Sequence, residues 1–537
     1  MASKQDMFTA VLTRFEELSH ATASPSHTPE EGEVLAALLG EVRRYGRTRV
    51  DSAAIDARGA LGREMLAEVA EQGWFGLTIP EAFGGAGLSV KAATRVVTEL
   101  SSFNGSLATC VGLHSGLGLY CLIKLASPAL QQRYLPDVAA GKRIAAFAAT
   151  EPNAGSDIAS VKTTLTEEGG KLRLRGTKCY VTNGGLCGVL TVLAASPGLG
   201  GARSGHTMVL VDPAWPGVLR GAEEHKLGLK GSSTITIDFD DVEIPRDHVI
   251  GEVSKGLDHA HAALTWGRTF MAAGCLGSAK SALEAAQAYT AERVQFGRTL
   301  DRFPLVREQL AQCMADLYAI ESVIRLVGDL YDAGQGDIAL DSTVAKIIAS
   351  EGSWNIIDRS LQLMGGMGYI EDAGMARRLR DVRVTRIFEG ANDVLRLHMA
   401  SATLSWSPAA LQALPRVGGK APAALRDDAE SFDRLLSSVG EALARIRKTH
   451  GFKLFDRQSL QAAMADVMIP TYAMLAVLLR ASGSVPSGAT PQTSHELAVA
   501  SYALDRLERQ ARAAFAVMDR VSASPDVDKV EAVLADG

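Results

Sequence analysis

A chain of 537 residues has room for three or four domains, and its formal net charge of -6 argues against nucleic acid as the main partner. Hydrophobic residues make up 47% and aromatics only 6%, which favours helices packed through small side chains. The six cysteines form no CxxC pair, no Cys/His spacing suits a metal, and the simplest reading is free thiols in a reducing cytoplasm.

Phe8 to Ser19 reads as a short amphipathic helix, followed by a mobile Ser/Thr/Pro linker from Ala21 to Pro29. Thr28-Pro29-Glu30-Glu31 carries an N-cap, a proline at the first helical position and a capping-box glutamate. Helices follow to Leu135, with the glycine-rich connector Gly76–Ser89 between them and an interruption at Pro136. β-branched and alternating runs then predict a small antiparallel β domain over about Ala148–Val249. From Gly256 the chain returns to long helical periodicity, at Ala272–Arg293, Pro304–Ala333, Asp341–Leu363 and Asn392–Leu404. Trp406–Pro422 reads as a linker into three more helices, about Ala423–His450, Ser459–Ala481 and Ser494–Ser522, the last with a candidate capping box at Thr493 and Glu496. The longest apolar run, Val467–Leu479, is too short to span a bilayer and contains Pro470. The expected divisions are 1–29 mobile, 30–147 helical, 148–250 β, 251–405 helical and 406–537 a helical extension. This order excludes a doubly wound sheet.

No dinucleotide fingerprint, P-loop, HExxH or GxSxG occurs. Phe147-Ala-Ala149-Thr150-Glu-Pro-Asn-Ala-Gly155-Ser156-Asp157 gathers hydroxyls and amides at one loop, able to bond a heteroaromatic ring or serve as a plain turn. Tyr180 and Thr182 share one side of a strand. Arg293-Val-Gln295-Phe296-Gly297 ends a helix with a guanidinium fork suited to pyrophosphate. Gln362-Leu-Met-Gly365-Gly366 offers backbone approach or a helix stop. In Arg386-Ile-Phe-Glu389-Gly390-Ala391-Asn-Asp393, apolar neighbours can desolvate the Glu389 carboxylate and make it a stronger base.

Taken in order, these stretches, with Lys226–Ser233 and Phe239–Pro245, resemble the acyl-CoA dehydrogenase family over about residues 30–405. The tail, through Gln458–Ser482, resembles the very-long-chain subgroup and its close paralogue. The resemblance implies a helical domain, a middle β domain, a helical bundle and a helical extension. It also implies FAD, a homodimer, an acyl-CoA substrate, electron-transfer flavoprotein as acceptor and peripheral membrane contact as an alternative to a purely cytoplasmic place. Carried over by motif, Phe147, Ala149, Thr150, Gly155, Ser156, Tyr180 and Thr182 hold the flavin side. Arg293, Gln295 and Phe296 take the pyrophosphate and adenosine, while Gln362, Gly365, Gly366, Ala391 and Asp393 complete the cofactor site. Glu389 is the implied base, with Ser156, Arg268 and Gly390 on the substrate side. Some family members carry the base one residue before Arg268, where this chain has Gly267. Ala391 departs from the Thr of many relatives. A long acyl chain is expected to lie against Leu107–Leu125, with Gly112, Gly116 and Gly118 leaving room and Cys121 able to shorten the cavity. Rival readings are a carrier-protein-bound acyl substrate, an oxidase that uses O2, and a respiratory-complex assembly factor.

Overall fold

The computed structural model describes residues 7–201, 203–484 and 491–523, which fall into two units. One comprises 28–292 and 353–389; the other comprises 7–27, 293–352 and 390 onward.

The first unit begins at the Pro29–Arg49 helix, whose N-cap Thr28 accepts from the Glu31 N–H at 3.2 Å. The Glu31 side chain also accepts from the Ser89 N–H at 2.8 Å. Pro136 does not stop its helix, which runs Pro128–Ala139. The stretch after Asn104 is broken into Gly105–Leu113, a wider π turn at His114–Gly118 and Leu119–Lys124, with the break at Gly116. Buried His114 fixes that turn: it bonds Phe75 O at 2.8 Å and accepts from the Ala145 N–H at 2.9 Å. Burial pushes its imidazole down to about 4, so it stays neutral.

The sheet has strands β1 (Ile144–Ala148), β2 (Thr164–Glu168), β3 (Lys171–Thr182), β4 (Cys187–Ala195), β5 (His206–Val211), β6 (Val218–Glu223), β7 (Thr234–Ile244) and β8 (Val249–Ile250). Their order is β6-β7-β3-β2-β4-β5-β8, with β1 beside β4. Pairing is antiparallel except for β1 with β4 and β2 with β4, a mixture that alternation alone does not show. β1 is buried throughout, and helical structure returns at Gly256 with the Gly256–Glu292 helix.

In the second unit, Met7–Leu12 and Phe15–Ala23 are helices with Phe8, Val11, Leu12 and Phe15 buried. The expected loose lead-in is therefore packed, because these apolar faces find cover. Phe8 meets Trp406 at 6.2 Å and Tyr472 at 6.0 Å between ring centres. The longer helices of this unit include Pro304–Asp332, Asn392–Thr403, Arg426–His450, Gln458–Gly483 and Pro491–Ala523. The last starts before Thr493, whose side chain lies outside the described residues, and Glu496 bonds the Tyr318 hydroxyl at 3.0 Å. Two helical stretches, Gly105–Lys124 and Gln458–Gly483, are long and apolar enough to cross a membrane, and both are mostly buried within the protein.

Asp341 is fully buried at the start of the Ala339–Met364 helix and accepts from the Tyr472 hydroxyl at 2.5 Å. Desolvation pushes its carboxyl up to about 6. The folded value exceeds the unfolded one, so the stability from its proton is present below about pH 4 and lost as pH rises through 6. Asp341→Asn is expected to melt higher than the parent at pH 7.5, by roughly 1–3 kcal/mol in stability, and equally at pH 4. Matched thermal melts at both values check it; a lower melting temperature at pH 7.5 would contradict it.

Candidate active site

Glu389 follows the turn Val384–Arg386 and precedes Gly390. Its φ is 56° and that of Gly390 is 101°, so two consecutive residues sit in the left-handed region. For a glutamate this costs on the order of 1–3 kcal/mol and needs surrounding structure to hold it. Arg268, buried in the Gly256–Glu292 helix, donates from Nε to the Glu389 carbonyl at 3.0 Å. Burial pulls its guanidinium below the usual range, and the Glu389 carboxylate opposes that shift. A Cβ on Gly267 would come within 3.1 Å of Glu389 Oε2, so the missing side chain makes room for the carboxylate.

Glu389 also lines a partly open cavity of about 60 Å³. Apolar and small residues form most of its wall, among them Val97, Ala108, Gly112, Phe270, Met271 and Gly274. A Cβ on Gly274 would meet nothing within 4 Å, so this glycine faces empty space. Gly116 and Gly118 do not line it. A Cβ there would press within 3.2 Å of Phe270 and 3.0 Å of the Ala145 backbone, so these two serve close packing. Cys121 packs with Leu119, Leu122 and Leu130, away from the cavity, and cannot shorten it. A second carboxylate, which no motif singles out, lines it: Asp381, which accepts from the Leu229 N–H at 2.5 Å and is pushed up to about 6 by burial.

Phe147 and Ala149 are buried at the end of β1, and Thr150 begins the loop that carries Gly155 and Ser156. That loop is tied to β3 through the Cys179 N–H to Thr150 O at 2.9 Å. A buried lysine, also unremarked in the sequence, supports it: Lys178 donates to Ala149 O and Glu151, both at 2.8 Å. Glu151 accepts in turn from the N–H groups of Lys162 and Thr163. A register shift between Lys178 and Val181 gives Tyr180 a φ of 55° and leaves its ring 66% exposed. Val181 is buried between the exposed Tyr180 and the half-buried Thr182. Gln362 lies in the last turn of the Ala339–Met364 helix, followed by Gly365 with φ of 58°. A side chain at Gly365 or Gly366 would meet nothing within 4 Å.

In the other unit, Arg293 leads into the hairpin β9 (Val294–Gln295) and β10 (Arg298–Thr299). Its turn residues Phe296 and Gly297 both have positive φ, 50° and 76°, the geometry a two-residue hairpin prefers. Phe296 is 93% exposed at the tip. Gly390 and Ala391 lead into the Asn392–Thr403 helix, with Asp393 in its first turn.

The donor set suits a flavin dinucleotide. Within the first unit, hydroxyls at Thr150, Ser156 and Thr182 with loop amides match ring nitrogen and oxygen acceptors; in the other unit, taken by itself, Arg293 carries the kind of guanidinium that pairs with pyrophosphate. An exposed ring at Tyr180 and open glycines at 365 and 366 leave space for a flat group.

A helical–β–helical order with a hydroxyl-rich loop and a carboxylate on the wall of an apolar cavity fits a flavin-dependent dehydrogenase of acyl thioesters. Family models for the N-terminal, middle and C-terminal domains of acyl-CoA dehydrogenases match residues 33–142, 146–242 and 254–404, and the ACAD9/ACADV C-terminal domain matches 423–533. The very long-chain specific acyl-CoA dehydrogenase of Bos taurus mitochondria is 32% identical over 504 residues, covering 87% of this chain and 77% of that protein. The FAD complex of an acyl-CoA dehydrogenase from Bacillus anthracis shares the fold at a TM-score of 0.81 and 24% identity, covering 97% and 94% of the two chains. Butyryl-CoA dehydrogenase of Megasphaera elsdenii superposes at 0.66 with 28% identity, covering 69% of this chain and 98% of that one. The chain belongs to the acyl-CoA dehydrogenase family and is an FAD-dependent oxidoreductase.

Proposed function

We propose that this enzyme introduces a trans-2,3 double bond into a long-chain fatty acyl-CoA, with Glu389 as the base. The observation that carries the reading is the Glu389 carboxylate on the wall of the cavity, its carbonyl held by Arg268. When bound, FAD would supply the acceptor for the β-hydrogen, transferred as hydride. Glu389 takes the α-proton. Its apolar surroundings exclude water and so strengthen the base. The Glu389 N–H, fixed by the same turn, is placed to help stabilise the charge that develops on the thioester oxygen. Phe147, Thr150, Ser156, Tyr180, Thr182, Gln362 and Gly365 form one part of the cofactor site. Arg293, Gln295, Phe296, Ala391 and Asp393 form another, and the exposed hairpin fits delivery to a second copy in a homodimer. Electron-transfer flavoprotein is the proposed acceptor.

Anaerobic flavin bleaching across acyl-CoA chain lengths, with carrier-bound acyl groups as a parallel arm, tests the substrate. Each buried CH2 contributes about 0.8 kcal/mol, so kcat/KM should climb with length until the cavity ends. A peak at roughly four to six carbons would remove the long-chain reading. Gly274→Leu should fill the open space and displace about three methylenes, lowering kcat/KM for the longest good substrate on the order of 10–100-fold while sparing short ones. Equal loss at every length would mean that the acyl tail runs elsewhere.

A further inference from the structure

Lys346 lies on the Ala339–Met364 helix and is fully buried. A buried ammonium is costly unless its protons are taken up by hydrogen bonds. Lys346 Nζ donates to the Gly390 carbonyl at 2.8 Å and to Asn392 Oδ1 at 2.6 Å. Asn392 is itself held, donating to Ser350 Oγ at 3.0 Å and Glu351 Oε1 at 2.7 Å. Behind Glu351 stands Arg396, 3.6 Å away, which also donates to Asp466 of the Gln458–Gly483 helix at 2.8 Å. The carbonyl next to the base thus ends a continuous polar chain that begins in the C-terminal extension.

Two peptide planes leave the strained pair. The Glu389 carbonyl is gripped by Arg268, and the Gly390 carbonyl by Lys346. Left-handed φ at both residues persists only where neighbours over-determine it. Nothing in the sequence motif around Glu389 points to a lysine 43 positions upstream. We propose that Lys346 is a positioning residue for the reaction: by fixing the Gly390 carbonyl it holds the backbone that aims the Glu389 carboxylate and its N–H. This rests on Glu389 being the base.

The test is anaerobic stopped-flow reduction of flavin-loaded Lys346→Met, Lys346→Gln and Asn392→Ala by the best straight-chain acyl-CoA. Misplacement of a base by a fraction of an ångström to 1 Å lowers rates by about 10–100-fold. Lys346→Met should therefore slow reduction by about that factor at saturating substrate, with KM changed less than about threefold. The isotope effect with α-deuterated substrate should rise, because proton removal then limits the rate. Lys346→Gln keeps a donor and should recover part of the loss. A native reduction rate per bound flavin in Lys346→Met, with only melting temperature or flavin content lowered, overturns the proposal. Should Lys346→Met not fold, Asn392→Ala decides: slowed reduction supports positioning and a native rate overturns it. Glu389→Gln separates the two readings. If it is inactive while the Lys346 variants are native, only the positioning role falls; if it is active, the base assignment falls.

Discussion

Glu389→Gln is expected to bind FAD at full stoichiometry and to stop turnover. Glutamine keeps the size of the side chain and can accept a hydrogen bond, yet it cannot take a proton. Losing a general base costs about two to four powers of ten, and more where nothing substitutes. The second family position for a base is Gly267, which has no side chain to step in. Single-turnover bleaching of the variant by its best acyl-CoA is the measurement. A near-native rate would move the base elsewhere, and Asp381 would be the first candidate. It lines the same cavity, and burial lifts its carboxyl to about 6. Asp381→Asn in that background would then abolish the residual bleaching.

What could be read in advance was local. Thr28 with Pro29, Pro304 at a helix start and the β-branched runs of β4, β5 and β7 announce their elements through caps and periodicity. The short motifs around Thr150, Tyr180 and Glu389 carried the family, because each keeps its chemistry within a few residues. What stayed hidden was contact at long separation. Arg268 meets Glu389 across 121 positions, and Lys178 reaches the loop before it across 29. No spacing rule joins such pairs. Glycines misled in a related way. Gly112, Gly116, Gly118 and Gly274 look alike in sequence, but only neighbours decide whether a missing Cβ makes room for a ligand or for another backbone. Pro470 removes one helical N–H, yet the Gln458–Gly483 helix runs through it, as the periodicity over Ser459–Ala481 indicates, since dense packing outweighs one lost bond.

That helix sets the last expectation: a chain ending at Ser405 will not fold to a soluble, flavin-loaded protein. The tail had looked semi-independent behind its Pro/Gly-rich connector, but Trp406 and Val417 of that connector are buried. Leu460, Met464, Val467, Tyr472, Leu475 and Leu478 are among the side chains the Gln458–Gly483 helix buries. It packs against Phe15–Ala23 so closely that a Cβ on Gly483 would fall 2.0 Å from Ser19 O. Arg480 sits 4.0 Å over the Tyr318 ring and 3.2 Å from Glu321, while Arg506 grips Asp316 at 3.0 Å. Burial of each large apolar side chain contributes about 1.5–3 kcal/mol, and on the order of ten are involved. The gross loss, roughly 15–30 kcal/mol, exceeds the whole net stability of about 5–15 kcal/mol typical of a folded unit. Because Val467 to Leu479 is buried on all sides, it presents no apolar face to lipid. Expression of the truncated and full-length chains, followed by sedimentation and thermal melts, is the check. A soluble truncated protein that keeps FAD and melts within about 2 °C of full length would show that the extension is dispensable to the fold. Flotation of the intact protein with anionic vesicles would show that some other part of its surface meets the membrane.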